Sequence, residues 1–331
     1  MTRPTVDAEV ITKAILLACR APSLHNSQPW RWLVGSGVVD LFSDDTRTLR
    51  ATDSSGRQTL IGCGAALDHF RVAMAAAGWD TNVDRFPNPN NLDHLATVDF
   101  TPARLVTAAQ RNRADAILLR RTDRLPFGPP PDWATFEAVL RTTVDQSLAK
   151  VDVLPDDARP TLAEASRLTE SLRRYDQYYH DELRWWTEPL RMFQGLPHSA
   201  LVSEEENARV GVNRQFPVGE HSDRRPEQLA DQAKILVLST PENTRADALS
   251  CGEALSTVLL EATMAGLATC PLTSITELPE SRDVIQRFIG GDSFPDGFPQ
   301  VLVRVGMAPA LEEKPAPTPR RPLSEVMQKR H

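Results

Sequence analysis

Cys63-Gly64-Ala65-Ala66-Leu67 returns, 188 positions later, as Cys251-Gly252-Glu253-Ala254-Leu255. The same shift carries Ala77-Gly78 onto Ala265-Gly266, which makes six identities in sixteen residues. Apolar residues fall at helical spacing in both copies, Leu67, Phe70, Met74 and Ala77 in one and Leu255, Val258, Leu259 and Ala262 in the other. Each helix then stops at a glycine, the residue that most easily adopts a left-handed C-terminal cap. Upstream, Val38 to Phe42 and Ile235 to Ser239 read as short apolar strands, each followed by a polar loop that feeds its helix. The spacing is far too long for a solenoid. The chain reads as two tandem copies of one α/β unit, a dimer fused head to tail.

Working outward, residues 7–20 form an amphipathic helix through Val10, Ile11, Ala14, Ile15, Leu17 and Ala18, which Pro22 must end. Trp30 to Val34 is expected as a strand and Ala114 to Leu119 as a helix. A long helical stretch is expected over about 157–186, a further helix over 277–289 and a strand over 300–305. The tandem copies are placed at 1–110 and 111–331. Residues 188–225 lack clear periodicity and read as an insertion, a functional loop or a disordered segment.

Composition narrows the function classes. With 331 residues, 41% hydrophobic and 24% charged, the chain is an ordinary globular protein of about two domains, able to bury a core without staples. Cys19, Cys63, Cys251 and Cys270 form no CxxC pair, which excludes a zinc ribbon and fits reduced thiols. A net charge of −7 argues against nucleic acid as the partner. No apolar run approaches the roughly 18 residues of a spanning helix. Met1 to Arg20 carries Asp7 and Glu9 and no small-residue cleavage site, so no signal peptide and a cytoplasmic location are expected. His25, His69, His94, His180, His198 and His221 never fall at HxH or HxxxH spacing, so no metal site is expected. Neither a GxGxxG after a strand nor a Walker A motif occurs. Tyr175, Tyr178, Tyr179, Trp185 and Trp186 recur at roughly helical spacing and read as core or interface.

Two segments carry chemistry. The first, Ala21-Pro22-Ser23-Leu24-His25-Asn26-Ser27-Gln28-Pro29-Trp30, concentrates hydrogen-bonding side chains in a turn stiffened by prolines, a form suited to a planar, polar-edged ligand. On composition alone it also reads as a capped helix-to-strand connection. The second, Arg120-Arg121-Thr122-Asp123-Arg124-Leu125-Pro126-Phe127, sets several guanidiniums beside a hydroxyl, which suits a phosphate dianion. Alone, it reads equally as a basic helix end that favours the macrodipole.

Taken together, A-P-S-x-x-N-x-Q-P-W, R-R-T-x-R, the helix ending in Ala-Gly-Leu and the terminal Arg320-Arg321-Pro322-Leu323 resemble the FMN-dependent nitroreductase superfamily. One chain carrying all of them is similar to its tandem Acg-type branch, associated with hypoxic and nitrosative stress. The resemblance implies an α+β nitroreductase-like fold whose two repeats stand in for the usual homodimer. It places Arg120 and Thr122 on the FMN phosphate, with Arg320 or Arg321 joining, counts Arg121 among the cofactor-binding residues, and sets Arg124 near the N1–C2=O edge of the ring. It places Pro22, Ser23 and Asn26 against ring and ribityl, and Pro271, Leu272 and Thr273 beside the ring face. Thr122 departs from the commoner serine. Each motif occurs once, so one FMN per chain, built across the two halves, and a monomer are expected. The implied activity is NAD(P)H-dependent reduction of nitroaromatics or quinones, with the flavin rather than a protein side chain carrying the chemistry. An alternative is a flavin-sequestering or redox-sensing protein, in which 188–225, with Phe193 and Phe216, closes as a lid.

Overall fold

The computed structural model describes residues 5–188, 194–219, 222–289, 297–309, 311 and 317–330. In chain order it runs α1 (Ala8–Ala18), β1 (Trp30–Val34), β2 (Val38–Ser43), α2 (Arg57–Ala76), β3 (Trp79–Arg85), β4 (His94–Pro102) and α3 (Ala108–Leu119). There follow α4 (Trp133–Thr143), β5 (Lys150–Val153), α5 (Arg159–Arg173), α6 (Gln177–Thr187) and α7 (Glu204–Ala208). The chain closes with β6 (Lys234–Thr240), α8 (Arg245–Met264), β7 (Ala268–Leu272), α9 (Pro279–Gln286), β8 (Phe298–Gly306), α10 (Leu323–Val326) and β9 (Met327–Lys329).

Two compact units form. The first gathers Met1–Arg120, Thr244–Leu260 and Pro319–His331; the second gathers Arg121–Asn243 and Glu261–Thr318. Residue 110 lies inside α3, whose start is fixed by a capping box between Thr107 and Gln110, and the first unit runs on to Arg120. Sheet order in the first unit is β3-β4-β2-β1-β9, and in the second β5-β6-β8-β7. Read from the other edge, the second sheet is β7-β8-β6-β5, strand for strand the order β3-β4-β2-β1. The neighbours within these four-strand sets are antiparallel in both sheets. Even the irregularity recurs: register slips between Leu41 and Phe42 against β4, and between Leu238 and Ser239 against β8. A bulge kept at one place in both copies is a feature of the fold, not a local defect. The duplication read from thirty-two residues therefore extends over the whole β-α-β framework.

Helix α2 is buried nearly all round, because Gly62, Cys63, Gly64, Ala65 and Ala66 let neighbours approach closely. Asp53 supplies its N-terminal cap, accepting from the N–H groups of Gln58 at 3.0 Å and Thr59 at 2.8 Å. Inside the first unit α2 meets α8 backbone to backbone. A Cβ on Gly64 would stand 2.0 Å from the Leu249 carbonyl oxygen, and one on Gly252 would stand 2.1 Å from that of Ile61. Leu249 is the repeat equivalent of Ile61, so the contact is reciprocal, the mark of a two-fold interface. Both helices stop as expected, with Gly78 at φ +88° and Gly266 at φ +72°.

Two expectations shift. The helix expected over 157–186 breaks at Arg174–Asp176, where the Asp176 carboxylate accepts from the Tyr179 N–H and starts a new helix. The helix expected over 277–289 is confined to Pro279–Gln286, proline at its first position setting the start. Of the aromatic group, Tyr179 and Trp186 are buried while Tyr175 and Tyr178 are exposed.

Candidate functional site

In the first unit the candidate residues gather around segment 21–30. His25, Asn26 and Gln28 all adopt left-handed backbone, at φ 47°, 58° and 52°. Such strain costs a non-glycine residue on the order of 1–2 kcal/mol and persists only where surrounding bonds fix it. Those bonds are visible. The Gln28 N–H donates to Ser23 Oγ at 2.9 Å, the Gln28 side-chain amide donates to the Asn26 carbonyl at 3.3 Å, and Arg47 donates to the Ser27 carbonyl at 2.5 Å. Gly62 of α2 admits the turn, since its missing Cβ would lie 3.3 Å from Ser23 Cβ and 3.7 Å from the Pro22 carbonyl oxygen.

The C-terminal segment closes on the same loop. Asn26 donates its side-chain amide to the Pro319 carbonyl at 3.1 Å. Arg320 donates to the Cys19 carbonyl at 2.8 Å and to that of Arg20 at 3.1 Å, and Arg120 donates to the same Arg20 oxygen at 3.2 Å. Two guanidiniums thus converge on one carbonyl just past the C-terminus of α1, where the helix dipole is negative. His69 of α2 is fully buried nearby. Burial first, then the charges of Arg120, Arg320 and Arg113, hold its pKa well below the ordinary imidazole value. The three cations add a positive field to that burial. Arg321 is engaged otherwise: it donates to the Gln28 carbonyl at 3.1 Å and pairs with Asp44 at 3.4 Å and Glu325 at 3.2 Å.

In the second unit, Thr122 forms a parallel bridge with Thr269, and the Asp123 N–H donates to the Thr269 carbonyl at 3.0 Å, laying 122–124 along β7. Arg121 and Arg124 are half-buried. Burial lowers the pKa of both; at Arg124, Cys270 and Asp123 oppose the shift and Arg214 adds to it. The Arg124 guanidinium sits over the Phe216 ring, 5.1 Å from its centroid. Cys270 and Leu272 point into the core, so Pro271 between them faces the other way, half-buried. Thr273 opens the turn 274–276 by accepting from the Thr276 N–H.

Among its described residues the insertion is tied down by polar bonds that its sequence does not suggest. Glu206, fully buried, accepts from the Ser203 N–H and from Arg224; Arg209 pairs with Asp223. Arg225 pairs with Asp123 at 2.6 Å, and Arg214 holds Glu277 and the Tyr179 hydroxyl. Phe193 and His221 lie outside the described residues. Among the described residues no helix is long and apolar enough to cross a membrane, and no group of three His, Cys, Asp or Glu side chains is placed to hold a metal.

The structure thus brings Pro22, Ser23, Asn26, Arg120, Arg320 and Arg321 together in one unit, and Arg121, Thr122, Arg124, Pro271, Leu272 and Thr273 in the other. Sequence reasoning assigned no role to Gln28, although it quoted the residue, and did not connect Phe216 with Arg124.

A family model described as "Nitroreductase family" matches residues 141–307. The protein named "Putative NAD(P)H nitroreductase acg" of Mycobacterium tuberculosis is 60% identical over 321 residues, covering 97% of this chain and 96% of that protein. The chain belongs to the nitroreductase family. A further M. tuberculosis relative in this nitroreductase group, "Putative NAD(P)H nitroreductase Rv3131", is 37% identical and covers 97% and 92% of the two chains. Among solved structures, the FMN-dependent nitroreductase NfnB from Mycobacterium smegmatis in complex with NADPH is similar at 16% identity and a TM-score of 0.41, over 66% of this chain and 98% of that one. The matched residues 141–307 hold the second repeat and the insertion; segments 21–30, 120–127 and 320–323 lie outside them.

Proposed function

We propose that this nitroreductase-family chain is an FMN-dependent oxidoreductase, binding one FMN per chain, that takes reducing equivalents from NAD(P)H and delivers them two at a time to a nitroaromatic, quinone or related small acceptor. The observation that carries the reading is the convergence of Arg120 and Arg320 on the Arg20 carbonyl beside segment 21–30. Two guanidiniums set on one carbonyl concentrate positive charge there. A phosphate dianion fits that field, and forked guanidinium donors match its oxygens. Arg120 and Arg320 would hold the phosphate, and the strained 21–30 turn would present Ser23 and Asn26 to the rest of the cofactor. In the second unit Arg124 would supply a fixed cation for charge gained on reduction, worth more where water is thinned than in bulk. FMN, when bound, supplies reversible two-electron hydride chemistry. The protein residues bind, orient and set the field.

The test is the visible spectrum of the purified protein, followed by anaerobic NADPH and NADH. A flavin spectrum near one FMN per chain that bleaches with either nucleotide supports the reading. A preparation that is colourless and cannot be reconstituted with FMN sinks it. A second reading, flavin sequestration with little turnover, is favoured by Phe216 against Arg124 and by the Arg225–Asp123 pair beside it. Both tie the insertion to the segment proposed to meet the flavin. Bleaching by dithionite but by neither nucleotide selects it.

A further inference from the structure

The residue pair Arg320-Arg321 divides its work, and Gln28 enforces the division. Gln28 is fully buried and sits in left-handed backbone, where glycine or asparagine would be less strained. Glycine has no side chain, and asparagine is one methylene shorter. The longer amide spans from the loop to the C-terminal segment: Oε1 accepts the Arg321 backbone N–H at 2.8 Å, while Nε2 donates to the Asn26 carbonyl. The Gln28 carbonyl in turn accepts from the Arg321 guanidinium at 3.1 Å. One residue thereby holds Arg321 at both backbone and side chain. Downstream, β9 pairs in parallel with β1, and Arg330 donates to the Val34 carbonyl at 2.8 Å and pairs with Asp40 at 3.0 Å. The tail is fixed at its far end by strand pairing and at its near end by Gln28.

We propose that Gln28 is a positioning residue for phosphate recognition: by clamping Arg321 it sets the register of the tail so that Arg320 meets Arg120 at the Arg20 carbonyl. Arg321 belongs to the clamp, not to the ligand. This rests on reading the Arg120–Arg320 cluster as the phosphate seat. A slip of the tail by one residue would exchange Arg320 for a neighbour and leave a single guanidinium at the seat.

Riboflavin tests the idea, because it carries the same ring and ribityl chain without the phosphate. Apoprotein from the full chain is titrated with FMN and with riboflavin, following flavin fluorescence, for wild type, Gln28→Met, Gln28→Glu and Arg321→Met. The expected result is a wild-type preference for FMN over riboflavin that falls about tenfold in Gln28→Met and Arg321→Met, the factor expected on losing roughly one charge-assisted hydrogen bond. Gln28→Glu retains the acceptor for the Arg321 N–H and keeps the preference. Equal weakening of both flavins in Gln28→Met and Arg321→Met, or an intact preference in both, overturns the positioning role alone. Arg321→Met reads the same clamp if Gln28→Met does not fold. A wild type that binds FMN no better than riboflavin overturns the phosphate seat, and the proposal with it.

Discussion

Replacing Gly64 by alanine is the sharpest test of the duplicated helix pair. In an ordinary helix interior, glycine to alanine stabilises by roughly 1 kcal/mol, since alanine has the better propensity and loses less backbone entropy. Here the new Cβ would stand 2.0 Å from the Leu249 carbonyl oxygen and 2.9 Å from its carbon, against a floor of about 3.0 Å for real contacts. The obstacle is helix backbone, which has no rotamer to change. Helices α2 and α8 must part by about 1 Å, loosening the side chains that interdigitate along the crossing. Overpacking costs typically 1–3 kcal/mol, and a rigid obstacle belongs at or above the upper end, so a net loss of about 3 kcal/mol is expected. In a chain of 331 residues that corresponds to a fall in Tm of about 4 °C. Because the contact is reciprocal, Gly252→Ala, with its Cβ 2.1 Å from the Ile61 oxygen, should lose a similar amount. Gly62→Ala on the same helix, facing Ser23 Cβ at 3.3 Å, is the control and should change Tm far less. Scanning calorimetry or urea unfolding decides. If Gly64→Ala unfolds within 2 °C of wild type, or if Gly64 and Gly252 respond very differently, the reciprocal backbone contact is refuted.

Buried His69 should make stability depend on pH. Its folded pKa is depressed, so below the unfolded value of about 6.5 the unfolded chain binds a proton that the native one refuses, and stability falls as pH drops, by up to about 1.4 kcal/mol per pH unit. His69→Leu should flatten that slope between pH 7 and 5, and an unchanged slope contradicts the assignment. Arg304, fully buried, pairs with Asp231 at 2.7 Å, so Arg304→Met should cost about 3–5 kcal/mol in urea unfolding by stranding a buried carboxylate. A loss below 1 kcal/mol would show that Arg159 and the Phe127 N–H suffice for Asp231. Burial pushes the thiols of Cys19 and Cys251 up to about 11 and 12, and that of Cys63 higher still. Ellman's reagent should therefore label none of these three at pH 8 until urea is added; rapid labelling of the native protein would contradict their burial.

What the sequence made legible follows from where the signal is local. Strand β1 is found at the bounds the sequence suggested: Trp30 and Trp32 are buried on either side of the exposed Arg31. Helices α2 and α8 were readable through the glycines that stop them. Strand β3, Trp-Asp-Thr-Asn-Val-Asp-Arg, was not: it lies at the sheet edge with three of its seven residues exposed, and pairing with β4 rather than apolar alternation holds it. The break between α5 and α6 carries neither glycine nor proline, and its one sign is Asp176 acting as a cap. The site divides in the same way. Segments 21–30 and 120–127 stood out by residue type and took their ligand roles from the family resemblance, whereas the meeting of Gln28 with Arg321 joins positions 293 apart and is made only by the fold.

The helix crossing also explains why two fused copies need not stay alike. At its centre both keep glycine, because each faces the other's backbone and nothing larger fits. Beside it the copies diverge: Glu253 stands where the first copy has Ala65, and two turns on Arg71 stands where the second has Leu259. Glu253 is 1% exposed and is held by Arg71 at 3.0 Å and by Arg85 at 2.7 Å. A crossing of two α2-type helices would give Arg71 no acid from the facing helix. A crossing of two α8-type helices would bury two copies of Glu253 with no arginine at the position of Arg71, and an uncompensated buried charge costs about 3–5 kcal/mol. Steric identity at the centre therefore preserves the geometry of a symmetric interface, while the unlike charges beside it favour pairing of the first copy with the second. Once that pairing is fixed, the two copies are free to differ elsewhere, and the single occurrences of segment 21–30 and of the arginines at 120–124 are what that freedom allows.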